Sequence, residues 1–240
     1  MKNITQTISG KMKIFGVLFL FTAALTSCLK DNNDNVVTPQ SALISVINAS
    51  PDSQPVDFYL DNNRANNSSI QYGNGLDYLN AITGKRTAAF YNSGSTTKIK
   101  SDTMTLRADK AYTLYLTNLV ATPDFVLLND DVQRPAAGQA SIRFVHVSAN
   151  TPAVDVVTST GTSIAPNKAY KEASAFIAVQ AAKYTLQVRQ AGTTTVLATL
   201  TDKDLLAGGV YTVWLQGVQG ATDDVKVLTA KIQRNALFNN

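Results

Sequence analysis

The chain has one imidazole and one thiol, His146 and Cys28. A zinc site built on several histidines cannot be assembled from these, and a Cys-His nucleophile pair would consume both. A Ser-His-Asp triad would have to recruit His146. Its counterpart in an earlier matching segment is Asn48, in phase with the apolar Ile44 and Val46, so His146 is expected inside a core rather than in a cleft. Paired carboxylates, the material of glycoside hydrolysis, occur at Asp130-Asp131 and Asp223-Asp224. Neighbouring strand residues point to opposite faces, and at loop ends such pairs read as solvated turns. The sequence therefore predicts no catalytic residue, no metal ligand and no cofactor. Tyr115 and Trp214 are the candidate ligand or partner contacts. Both fall out of phase with the apolar rows of their segments and are expected to face away from those rows. There they would stack on a sugar ring or anchor a protein, or else cover a second layer or the contact between two halves of the chain.

Cys28 has a different chemistry, set by what precedes it. Lys2, Lys11 and Lys13 form a basic start without acids, an apolar run extends from Ile14 to Leu25, and Thr26 and Ser27 lead into the cysteine. This order resembles the lipobox of bacterial lipoproteins. The resemblance implies acylation of the Cys28 thiol, cleavage before it and acylation of the new amino terminus. Multiple acyl chains make a stable anchor where one would be marginal. The apolar run is short for a membrane span. Leu29 to Gln40 follows with Lys30, Asp31, Asn32, Asn33, Asp34 and Asn35, too polar to pack and expected as a tether. Its Asp31, Asn33 and Asn35 match the start of a calcium loop, but Val36 stands where the loop needs glycine. A basic residue followed by acids after the lipidated cysteine also resembles the surface-export signal of one group of gram-negative bacteria.

Removing the leader takes the basic count from 21 to 18 against 17 acidic residues, a net charge of +1. A near-neutral chain lacks the electrostatic footprint of nucleic-acid binding. The mature part is about 213 residues, room for one large or two ordinary domains.

A self-comparison at a shift of about 98 residues decides between these. ALISVINASPDSQPVDFYL from Ala42 matches ASIRFVHVSANTPAVDVVT from Ala140. Ile44, Ser50, Val56 and Asp57 fall on Ile142, Ser148, Val154 and Asp155; Asn48 falls on His146, Tyr78 on Phe176 and Gly94 on Gly192. After a one-residue slip AYTLYL from Ala111 matches VYTVWL from Val210. Apolar residues recur at every second position between turn-forming residues, which is a strand pattern. Val56, Phe58 and Leu60 form one inward row; Tyr112, Leu114 and Leu116, with Tyr211, Val213 and Leu215, form another. Gly94 and Gly192 are expected to make hairpin turns. Asp57 and Asp155, one residue after an inward valine, are expected to hydrogen-bond a neighbouring loop. A copy of roughly 95 residues fits a seven-strand sandwich.

The fold class expected is all-β: two tandem immunoglobulin-like or prealbumin-like β-sandwich domains after a lipoprotein signal peptide. The expected divisions are a signal at 1–27, the lipidated Cys28 with a flexible tether at 28–40, a first sandwich at 41–131, a linker at 132–139 and a second sandwich at 140–236.

ASPDSQPVDFYLD, the Tyr-containing segment after it, the Gly-Lys or Ala-Lys turn into a strand and AYTLYL together resemble the family catalogued as domain of unknown function 4397. The resemblance runs from Ala42 to about Gln233 and implies a bacterial envelope or secreted protein of β-sandwich modules with no agreed activity. The expectation for function is a lipid-anchored envelope protein of the outer membrane, exposed at the cell surface. It would act as a non-catalytic binding, adhesion or structural module toward extracellular polysaccharide or an envelope protein. The alternative is an accessory protein or weak hydrolase acting on extracellular glycans.

Overall fold

The computed structural model describes residues 40–239, and within them every regular element is a strand. The leader, Cys28 and the polar tether lie outside the described residues.

The first half contributes β1 (Ser41–Asn48), β2 (Val56–Leu60), β3 (Asn63–Arg64), β4 (Gly75–Ile82), β5 (Gly84–Asn92), β6 (Lys98–Leu106), β7 (Ala111–Thr117) and β8 (Asp124–Asp130). They form two four-stranded sheets, ordered β4-β1-β7-β8 and β3-β2-β5-β6. The second half supplies β9 (Gln139–His146), β10 (Val154–Thr158), β11 (Ser163–Lys168), β12 (Ile177–Gln180), β13 (Ala182–Gln190), β14 (Val196–Leu205), β15 (Gly209–Gln216) and β16 (Thr229–Leu237). Its sheets, β12-β9-β15-β16 and β11-β10-β13-β14, repeat the first half's order strand for strand. One pairing in each half is parallel, β1 with β7 and β9 with β15. Each half thus exceeds the expected seven strands. The addition in the first half is β3, two residues that fold back on the end of β2.

Period two places alternate side chains between the sheets of each half. Val56, Phe58, Phe90, Leu114 and Leu116 fill one core, with Phe58 and Phe90 rings 5.1 Å apart. Phe144, Val154, Val156, Val213 and Leu215 fill the other. The rows read from sequence are these core rows, although Leu60 is only partly buried. Gly94 and Gly192 adopt φ of 68° and 71° in the hairpins β5–β6 and β13–β14, where a side chain would be strained. Each half also carries the same corner bond: the Tyr112 hydroxyl accepts from the Arg107 amide at 3.1 Å, and Tyr211 from the Leu206 amide at 3.0 Å. A tyrosine tied to the backbone just upstream pins the connection between sheets in immunoglobulin-like sandwiches.

β15 is buried along its entire length, and β7 is buried from Tyr112 to Thr117. Only one face of each meets its own core. The other face meets the opposite half of the chain.

Candidate functional site

Tyr115 and Trp214 sit on those second faces, as the alternation requires, but they are not exposed. Their relative exposures are 0% and 4%. The rings meet each other edge to face, centroids 6.0 Å apart, within a third apolar cluster that includes Ile47, Val126, Val145 and Val147. The expectation that these aromatics present a stacking surface to a ligand is therefore corrected. Side chains from sheet β4-β1-β7-β8 and sheet β12-β9-β15-β16 bury one another, and the aromatic partner of each residue is its own repeat equivalent. Ile47 and Val145, also equivalent, belong to the same cluster. The Tyr115 hydroxyl finds no protein partner, and burial drives its pKa far upward.

Beside this cluster lies a closed polar ring. Arg143 of β9 donates through Nη2 to Asp130 of β8, with side-chain exposures of 4% and 0%. Arg143 Nε donates to Thr212 at 2.9 Å, Thr212 donates to Asn235 Oδ1 at 2.6 Å, and Asn235 Nδ2 donates to the Tyr78 hydroxyl at 2.9 Å. Tyr78 closes the circuit by donating to Asp130 Oδ2 at 2.7 Å, where Thr113 also donates at 2.6 Å. The Arg143 guanidinium lies over the Phe176 ring, 4.6 Å from its centroid. Burial first, and the adjacent Asp130 carboxylate second, push the Tyr78 hydroxyl far above its usual pKa, so it remains a donor. Asp130 is accordingly no solvated turn residue: it points inward at the end of β8 because a cation from the other half awaits it. Asp131, the next residue, is exposed. The two carboxylates cannot work as a catalytic pair.

His146 and its equivalent Asn48 perform one task with different groups. The Ser50 amide donates to Asn48 Oδ1 at 3.2 Å, and the Ser148 amide donates to His146 Nδ1 at 3.3 Å. His146 Nε2 lies 3.1 Å from the Pro152 carbonyl, which assigns the proton to Nε2. Desolvation by burial lowers the His146 pKa, against a smaller upward pull from the Pro152 carbonyl and Glu172, so the ring is neutral. Ser50 and Ser148 then donate at 2.7 Å to the Asn118 and Gly217 carbonyls. These side chains hold the loops that follow β1 and β9.

The matched aspartates do the same for the hairpins. Asp57 accepts from the Gly94 amide at 3.0 Å, from Asn66 at 2.8 Å and from Arg64 at 2.8 Å. Asp155 accepts from the Gly192 amide at 2.8 Å and from the Asn167 amide at 2.7 Å. Burial tends to raise the Asp57 carboxyl, but the bonds from Gly94 and Asn66 and the charge of Arg64 outweigh it and hold its pKa below the ordinary value. Asp223 and Asp224 are exposed in the loop before β16, and Asp223 pairs with Lys226 at 3.3 Å. Among the described residues no group of metal-ligating side chains converges, and no helix is long and apolar enough to cross a membrane.

Residues 42–157, from β1 into β10, match the family model described as Domain of unknown function (DUF4397). The chain carries a DUF4397 domain. Beyond the matched residues the chain continues the same strand order through β16. No curated protein matches the sequence. Among solved structures, a CBM26-family protein from Eubacterium rectale in complex with maltoheptaose is similar at 9% identity, covering 82% of this chain and 97% of that one, with a TM-score of 0.26. A streptococcal virulence factor described by its alpha-glucan binding is 9% identical, covering 72% and 92%, at a TM-score of 0.25. A Bacteroides ovatus protein assigned to cell adhesion is 11% identical, covering 84% and 100%, at a TM-score of 0.22. Likeness this distant assigns no function to this chain.

Proposed function

We propose that this protein is a lipid-anchored component of the cell envelope, held to the outer membrane through Cys28 and facing outward, whose double sandwich acts as a non-catalytic binding module. Extracellular polysaccharide or another envelope protein is the partner. The observation that carries the non-catalytic part is the employment of the chain's chemistry-bearing side chains. His146, Asp57, Asp130 and Asp155 are each tied by hydrogen bonds that hold a loop, a hairpin or the seam between halves. A group so engaged holds the fold together; it is not free to accept a proton from substrate. The anchoring part rests on the order of the basic start, the apolar run and Leu25-Thr26-Ser27-Cys28.

Membrane fractionation of cells expressing the native chain and a Cys28→Ala variant tests the anchor. The native protein is expected in the membrane fraction, released by detergent, and the variant in the soluble fraction. Equal membrane association of both would remove Cys28 as the anchor.

A further inference from the structure

Each half of the protein has a cleft at the same place, beside the turn after β2 or β10 and the corner between β4 and β5 or between β12 and β13. The linings differ. In the first half Asp61, Arg64, Ile82 and Arg86 surround about 210 Å³. Arg86 bars the space: its Nη1 donates to Asp61 at 3.3 Å, its Nε to the Ile82 carbonyl at 2.9 Å and its Nη2 to the Thr83 carbonyl at 2.7 Å. In the second half Tyr184 replaces Arg86, Ser159 replaces Asp61 and Thr162 replaces Arg64 under the repeat alignment. The Tyr184 hydroxyl reaches back only to the Gln180 carbonyl, at 3.1 Å. Without the guanidinium bar this cleft opens to about 440 Å³. Small-ligand sites occupy roughly 300–1,000 Å³, a range that includes the second cleft and leaves out the first.

The second cleft's lining has a consistent chemistry. Ser159 and Thr162 bring hydroxyls, Thr158 and Thr160 a hydroxyl pair bonded to each other at 2.8 Å, Gln180 an amide and Tyr184 a half-buried ring, while the Thr185 hydroxyl donates to Asp202 at 3.3 Å. Hydroxyls and amides both donate and accept, so they suit a ligand that is itself rich in hydroxyls. The phenol ring offers an apolar face to the C–H side of such a ligand. Lys183 is the charged residue of the lining, and among the described residues it forms no ion pair.

We propose that the Tyr184 cleft of the second sandwich binds a polysaccharide segment, and that Lys183 gives it a preference for chains bearing carboxylates. The first sandwich, closed by Arg86, takes no part. This inference rests on the binding role proposed above and gives it a place and a ligand class.

Retardation of the detergent-solubilised full-length protein in native gels cast with polygalacturonate or with dextran tests it. Retardation by both is expected, stronger with polygalacturonate. Tyr184→Arg, which installs the first half's bar, should weaken it at least tenfold, and Lys183→Ala should abolish only the preference. Thr160→Arg, in an exposed turn, blocks the same cleft and keeps the site testable should Tyr184→Arg fail to fold. Blocked variants retarded like the native protein would overturn the site while leaving glycan binding standing. A native protein retarded by neither polysaccharide would overturn the glycan partner itself, leaving the membrane anchor to be judged by fractionation.

Discussion

Arg143 donates to Asp130 across the seam between the two sandwiches, and both side chains are almost wholly removed from solvent. Removing one partner of such a pair strands a buried charge, which typically costs about 3–5 kcal/mol, whereas replacing both with apolar groups is often neutral. Arg143→Ala is therefore expected to lower the urea-unfolding free energy by about 3–5 kcal/mol. A double variant, Arg143→Met with Asp130→Leu, should recover a large part of that loss. If Arg143→Ala unfolds like the native protein, the ring is not closed in solution.

Trp214 is the single tryptophan, so its fluorescence reports on the seam alone. At 4% exposure its emission should be blue-shifted and insensitive to iodide, moving to the red only on unfolding. Trp214→Ala should destabilise by about 3–5 kcal/mol, as large-to-small changes of buried aromatics do. Tyr115→Phe is expected to leave stability unchanged or slightly raised, because the hydroxyl has no protein partner to lose. A quenchable, red-shifted Trp214 in the folded protein would contradict the packing described.

Burial lowers the His146 pKa below its unfolded value near 6.5. In the window between the folded and unfolded values the unfolded chain binds more protons, so stability falls as pH falls through it. Above the unfolded value the full contribution is present. His146→Asn, which installs the equivalent Asn48 side chain, should flatten this dependence while keeping the bond to the Ser148 amide. Urea midpoints measured from pH 8 down to pH 5 check it: native and variant curves of the same slope would contradict a buried neutral imidazole.

Alternation of apolar residues is enough to expose the core rows, the hairpin glycines and the equivalence of Asn48 with His146, because these depend on period and local turn chemistry. For Tyr115 and Trp214 the alternation gives the correct face and the wrong surroundings. Periodicity says which way a side chain points and says nothing about what lies beyond the sheet. A clue is present in β15, where Val210, Tyr211, Val213, Trp214 and Leu215 leave hardly any polar position, the signature of a strand buried on both faces. Asp130 reads as a solvated residue in sequence for a related reason: its partner is supplied by the other half of the chain, at Arg143, where the first half has Ser45. The Tyr184 cleft is equally hidden in sequence. Its signal is the exchange of Arg86 for Tyr184 and of Asp61 for Ser159 between aligned repeats, which acquires meaning only once those residues are seen to line one space.

Placement at the cell surface is the claim on which the proposed role depends, and protease treatment of intact cells tests it most directly. Applied to cells carrying the native protein, with a periplasmic protein followed as the integrity control, protease is expected to remove the double sandwich while the control survives. A native protein that stays whole on intact cells, and is degraded only after the outer membrane is opened, would contradict outward placement.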